Sequence, residues 1–283
     1  MQIISDPREM QRLCGGWRCA SQTIGFVPTM GALHEGHLEL ARRAKRENER
    51  MVASIFVNPA QFGPKEDLAK YPHPFERDCE LLGELGCNAI FSPTKDAMYG
   101  GADFRHGTWI DVTPFDEMWE GVTRPGHMRG VATVVAKLFN ICAPTRAYFG
   151  EKDFQQLRVV EALVQDLNFP VRIVPCETVR EADGLAKSSR NTYLSTEERH
   201  SASVIFRAMS AGKALAQKGE RNVATIGEAM SAVFATEPQL QTQYVSVVDA
   251  LTLEPLRELD GRPARIIVAA FLGKTRLIDN MAL

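Results

Sequence analysis

Two kinds of apolar run alternate along the first two-thirds of the chain. Thr23-Ile24-Gly25-Phe26-Val27, Val52–Val57, Ala89-Ile90-Phe91, Ala147-Tyr148-Phe149 and Val171–Val174 are short and nearly unbroken, as strands buried on both faces are. Between them, apolar residues recur three or four positions apart. Leu38, Leu40, Ala41 and Ala44, separated by Glu39, Arg42, Arg43, Lys45 and Arg46, predict an amphipathic helix over 36–48. The same spacing predicts helices over 74–85, 130–141 and 153–167, and Pro7 behind Ser5 or Asp6 starts another over 5–14. Strands separated by helices in this way predict a parallel, doubly wound sheet.

The texture changes near residue 180. Glu181–Gly184 reads as a turn, and Lys187-Ser188-Ser189-Arg190-Asn191 is a polar cluster. Ser195 and Glu198 form a capping box that opens a helical stretch over 196–217, followed by a helix over 222–235 and strands over 244–248 and 265–271. The fold expected is therefore α/β: a Rossmann-like doubly wound parallel sheet over 1–178, then a smaller α+β C-terminal domain over 179–283. Residues 99–129, rich in Gly, Pro and aromatics, read as an excursion with a strand over Trp109–Val112.

Composition narrows the partners. The 283 residues are 45% hydrophobic and 24% charged, with a formal net charge of −2 and no block of Lys or Arg, which argues against nucleic acid. The six cysteines are scattered without a C-x-x-C, as free thiols in a reducing compartment would be. Asp6, Arg8 and Glu9 stand where a signal peptide would be apolar, and the longest apolar run, Ile266–Leu272, is far too short to span a bilayer. The expectation is a cytoplasmic protein with no membrane partner.

The densest candidate chemistry is Pro28-Thr29-Met30-Gly31-Ala32-Leu33-His34-Glu35-Gly36-His37, between a strand and a helix. Glycines there let backbone approach a ligand, and a helix start offers N–H groups and a positive dipole end to an anion. If both lie in the first helical turn, His34 and His37 share a face and suit phosphate; a metal, for which no third ligand is evident nearby, and ordinary surface histidines are the other readings. Three more clusters fall at strand ends or in the later turn. Gln61 follows Asn58-Pro59 in a loop running to Pro64, Lys152, Asp153 and Gln156 follow Gly150, and Lys187–Arg190 come later. Lysine, serine and arginine suit phosphate, whereas Gln61 and Gln156 suit the hydroxyls of a small substrate. A solvated lysine, a polar turn and ordinary loop hydrogen bonding are the plain alternatives. Gly273-Lys274-Thr275 ends like a P-loop, but Val268 stands where its first glycine belongs, and no G-x-G-x-x-G is present.

These residues, in this order, resemble a known family. Pro28–His37 looks like the phosphate-binding motif of the nucleotidyltransferase superfamily in the form found in the pantothenate synthetase family. Phe56–Phe62, Arg124-Pro125-Gly126-His127, Phe149–Gln156, Asp183–Asn191 and Thr275–Asn280 resemble that family's other motifs, so the likeness covers nearly the whole chain. The resemblance implies ATP-dependent joining of pantoate to β-alanine through a pantoyl adenylate, with Mg2+, in a homodimer. It implies that Met30, Gly31, Ala32, Leu33, His34, Glu35, Gly36 and His37, with Gly150, Glu151, Lys152 and Asp153, line the ATP. Val179, Lys187, Ser188, Ser189 and Arg190 complete that site. His37, His34 and Lys152 are the catalytic candidates, Gln61 and Gln156 the pantoate ligands, and Gln61 also a β-alanine ligand. Asp78 is a candidate metal contact, a helix-surface acid being the other reading. The chain departs from the family in carrying Lys187 at a usually apolar position and His73-Pro74 where Arg-Thr is usual. The rival activity is a nucleotidyltransferase acting on a phosphorylated small-molecule acceptor.

Overall fold

The computed structural model describes residues 1–63, 66, 68–101 and 106–283. Pro64, which ends the Gln61 loop, and part of the 99–129 excursion lie outside the described residues. The chain forms two compact units, Met1–Glu151 with Gln155–Glu177, and Lys152–Phe154 with Thr178–Leu283.

The first unit runs β1 (Gln2–Ile4), α1 (Pro7–Cys19), β2 (Ile24–Thr29), α2 (Glu35–Glu47), β3 (Arg50–Ile55), α3 (Phe75–Glu84), β4 (Ala89–Phe91), α4 (Lys95–Tyr99), α5 (Glu120–Thr123), α6 (His127–Cys142), β5 (Arg146–Gly150), α7 (Phe154–Asp166) and β6 (Arg172–Cys176). Among the described residues its sheet has six strands, all parallel, in the order β1-β4-β3-β2-β5-β6. The unbroken apolar runs are the reason: Phe26, Val27, Val52, Ala53, Ile90, Phe91, Ala147 and Tyr148 are all fully buried. Removing such a side chain from water contributes about 1.5–3 kcal/mol for the larger ones. Leu40, Ala41 and Ala44 of α2 and Leu82 of α3 belong to one core cluster with Val27, Met51, Ala53 and Ile90. On one side of β2 the chain goes on to β3, β4 and back to β1, and on the other to β5 and β6. The order therefore reverses between β2 and β5. Ligands of open parallel sheets bind outside the strand carboxyl ends at such a reversal.

Local departures from expectation have local causes. Asp6, not Ser5, caps α1, its carboxylate accepting from Glu9 N at 2.8 Å, and the helix continues to Cys19. Residues 109–112 form no strand, because side chains take their amides: Ile110 N donates to Thr133 Oγ1 at 3.1 Å and Val112 N to Asp116 Oδ2 at 2.9 Å.

The second unit holds α8 (Thr196–Ser201), α9 (Val204–Gln217), α10 (Val223–Phe234), β7 (Leu240–Asp249), β8 (Ala264–Leu272) and β9 (Thr275–Ala282). The capping box at Ser195 and Glu198 is present, but the stretch over 196–217 is two helices, broken at Ala202-Ser203. An antiparallel sheet, β7-β8-β9, packs Ile266, Val268 and Leu277 with Ile205, Met209, Ile226 and Met230 of α9 and α10.

Candidate active site

The turn between β2 and α2 is built to hold two imidazoles. His34 caps α2 with extended backbone (φ −127°, ψ 174°), and its Nδ1 accepts from Gly36 N at 3.1 Å. His34 N donates to His37 Nδ1 at 3.4 Å, and the rings lie 4.1 Å apart. An imidazole whose Nδ1 accepts an amide proton carries its own proton on Nε2. Both rings thus carry their own proton on Nε2. A side chain at Gly36 would place a Cβ 2.9 Å from the His34 ring, so this glycine makes room for histidine rather than for a ligand.

The amides ahead of the helix are also engaged. Gly31 N donates to Thr29 Oγ1 at 3.1 Å, and Ala32 N and Leu33 N donate to the two carboxylate oxygens of Asp78, each at 2.8 Å. Gly31 and Ala32 both have positive φ, +82° and +50°, so the loop makes a left-handed turn to reach that carboxylate. Asp78 is buried in the first turn of α3, and burial raises its carboxyl above the usual range against the pull of the Leu33 and Ala32 amides. Asp78, for which the sequence leaves a metal contact and a helix-surface acid as the two readings, is buried and uses both oxygens to shape the loop. A cleft of about 480 Å³ opens beside it at the carboxyl ends of β2, β3 and β4, with Met30, Gly31, Phe56, Asp78 and Lys95 in its wall.

Gln61 stands next to this turn. Tyr99 OH donates to Asn58 Oδ1 at 2.7 Å, which fixes the Asn58 amide so that Nδ2 donates to Gln61 Oε1 at 3.1 Å. That in turn directs Gln61 Nε2 to Met30 Sδ, 3.2 Å away. Burial pushes the Tyr99 phenol far above its ordinary value, so this network is neutral. The backbone of Gln61 is held too: its carbonyl lies 2.8 Å from His127 Nδ1, while Arg124 Nη1 lies 3.0 Å from His127 Nε2. Burial, aided by Arg124, pushes the His127 pKa down to about 4, so the ring is neutral, accepting from Arg124 and donating to Gln61 O. Arg124 also forks onto Glu66 at 2.9 and 2.6 Å.

Gly150 ends β5, the neighbour of β2, and Glu151 begins the turn into α7. Gln156 lies half-buried in the first turn of α7. Its neighbour Gln155 is buried and structural, donating to Phe115 O and Met118 O at 2.8 and 2.9 Å and accepting from Glu120 N at 3.0 Å.

The remaining expected residues belong to the second unit. Lys152 Nζ lies 3.5 Å from Asp153, and its carbonyl accepts from Asn280 Nδ2 at 2.8 Å. Residues 179–187 form a small hairpin in which Lys187 N donates to Val179 O at 2.9 Å, bringing those two expected residues together. Lys187 Nζ pairs with Glu181 at 3.1 Å. Ser188 caps a short 3₁₀ helix, its hydroxyl accepting from Arg190 N at 3.3 Å. Asn58, His127 and Asn280, which sequence reasoning gave no role, all hold expected residues in place. Each stood inside a quoted motif, and that was the only signal for them.

Residues 2–282 match the family model described as Pantoate-beta-alanine ligase. A pantothenate synthetase of Rubrobacter xylanophilus is 52% identical over 99% of this chain and 98% of its own length. The crystal structure of pantothenate synthetase from Thermus thermophilus superposes with a TM-score of 0.92 at 47% identity, covering 99% of each chain. A pantoate-beta-alanine ligase of Francisella tularensis, complexed with beta-gamma ATP and beta-alanine, superposes with a TM-score of 0.79 at 32% identity, covering 100% of this chain and 97% of that one.

Proposed function

The chain belongs to the pantoate-beta-alanine ligase family, and from that premise we propose a two-step route through the residues described above. The activity is ATP-dependent ligation of pantoate to β-alanine. In the first step the pantoate carboxylate attacks the α-phosphorus of ATP, and the bond to the bridging oxygen breaks as pyrophosphate leaves. In the second, the amine of β-alanine attacks the acyl carbon of the pantoyl adenylate, loses a proton, and expels AMP. Neither step needs a protein nucleophile.

The observation that carries this reading is the locked pair of imidazoles. Negative charge grows on phosphate oxygens as pyrophosphate leaves, and two preoriented Nε2–H donors meet it without reorganising. Lys152 supplies a point charge to the same phosphates. Gly150, Glu151, Asp153, Val179 and Lys187–Arg190 line the nucleotide. Residues 1–178 bind nucleotide and pantoate, and residues 179–283 serve as the lid that keeps water from the adenylate. Gln61, neutral and fixed by Asn58, binds pantoate with Gln156 and also meets β-alanine. A phosphorylated acceptor would call for cations where Asn58, Tyr99 and Met30 surround Gln61.

Mg2+ belongs to this proposal as a companion of ATP. Among the described residues no cluster of three or more His, Cys, Asp or Glu stands ready to hold a metal, and the Asp78 oxygens are occupied by amides. The side chains do not fit a protein-built magnesium cage; a magnesium ion held chiefly by substrate phosphates and water needs none. The family resemblance supports a homodimer. A cytoplasmic location fits a chain in which no described helix is long and apolar enough to cross a membrane.

Product analysis tests the reading. Turnover that requires both an acid and an amine, and yields AMP with pyrophosphate, is expected; a product that retains the nucleotide would assign the rival transferase activity.

A further inference from the structure

Asp279 and Asn280 are consecutive in β9, only 4% exposed each, and face opposite sides of the strand. Strand interiors disfavour such residues unless their polar atoms are satisfied. Both are satisfied, and each by a segment named above.

On one face, Asp279 forks onto Arg180, Oδ2 accepting from Nη1 at 2.7 Å and Oδ1 from Nη2 at 3.0 Å. Arg180 Nη1 also donates to Gly184 O at 2.9 Å, across the tip of the 179–187 hairpin, and its guanidinium lies over the Phe206 ring at 4.8 Å. The hairpin that ends in Lys187 is thereby pinned to the sheet. On the other face, Asn280 Oδ1 accepts from Arg265 Nη1 at 2.5 Å, and Nδ2 donates to Lys152 O at 2.8 Å. The Arg265 guanidinium covers the Phe154 ring at 3.9 Å. These contacts explain why Lys152–Phe154 group with the second unit although the residues on either side of them belong to the first.

We propose that Asp279 and Asn280 are positioning residues for the nucleotide site: Asn280 holds the backbone that carries Lys152, and Asp279, through Arg180, holds the hairpin that leads into Lys187–Arg190. The inference rests on the reading of those segments as nucleotide contacts. A transition-state donor is sensitive to small displacements, so loosening Lys152 acts on the chemical step, whereas loosening the hairpin acts on nucleotide binding.

The test separates the two roles. Asn280→Asp keeps the acceptor for Arg265 and loses the donor to Lys152 O; Asn280→Ala loses both. Each is expected to lower kcat at least ~10-fold with the ATP Michaelis constant within about 3-fold of the parent, a pattern that global loosening does not give. Asp279→Asn is expected to raise the ATP Michaelis constant at least ~5-fold with kcat less affected. In a Lys152→Ala background, Asn280→Asp should add nothing, because both act through one group. Parental kcat in a folded Asn280→Asp or Asn280→Ala variant, or full additivity with Lys152→Ala, overturns the inference. Parental kcat in Lys152→Ala alone instead removes the nucleotide role of Lys152. Should Asn280→Ala fail to fold, Asn280→Asp and Asp279→Asn carry the decision.

Discussion

His34 and His37 hold one another in place: the backbone N–H of His34 donates to Nδ1 of His37, and the rings lie 4.1 Å apart. A helix start ordinarily takes a short hydroxyl or carboxylate as its cap. Here imidazoles do that work, and in doing it they fix their own tautomers. The hydrogen bonds that start the helix therefore also set the tautomers, with both Nδ1 atoms accepting amide protons and the ring protons on Nε2.

Removing the second ring should show this directly. His37→Ala is expected to slow adenylate formation at least ~10²-fold, the common loss for one preorganised transition-state donor. The lost cap bond should cost only about 1 kcal/mol of stability. Single-turnover measurement of the adenylate, with circular dichroism to monitor folding, checks both. A parental rate would remove His37 from the catalytic set.

Asp78→Asn tests the loop. An amide cannot accept from both Ala32 N and Leu33 N as the carboxylate does, so one buried donor loses its partner, at a cost of about 1–3 kcal/mol. The expected result is a lower unfolding temperature and a higher ATP Michaelis constant. Added magnesium should restore neither, since the defect lies in the loop; recovery with magnesium would support the metal reading of Asp78.

The parallel sheet was legible because its inner strands, β2, β3, β4 and β5, are largely buried and read as plain apolar runs. Two strands were not. β1 is three residues, Gln2–Ile4, too short to make a pattern. β9 carries Arg276, Asp279 and Asn280, and only tertiary partners make the two buried ones acceptable there. The Trp109–Val112 pattern misled because Thr133 and Asp116 outcompete any ladder for its amides. At the site, residue types located the His turn and Gln61. The use of the turn's amides by Asp78 was not legible, since it depends on where α3 places a carboxylate 45 residues or more along the chain.

Acid should weaken the clasp on Gln61. The His127 pKa falls from 6.5 to about 4 in the folded protein, so as pH drops the unfolded chain takes up this proton first. A depressed histidine of this kind leaves stability intact above pH 6.5 and removes it as pH falls toward about 4. The full loss is about 3 kcal/mol at 1.36 kcal/mol per unit. Denaturant unfolding at about pH 7.5, 5.5 and 4.5 should therefore show a steeper decline in the parent than in His127→Gln. Equal slopes would mean that folding leaves the His127 pKa unshifted.

In the proposed route, adenylation of the acid precedes, and is separable from, attack by the amine. Isotope exchange between pyrophosphate and ATP measures that step alone. Exchange that requires pantoate and proceeds without β-alanine is expected; exchange without pantoate, or ADP in place of AMP as the product, would rule the two-step route out.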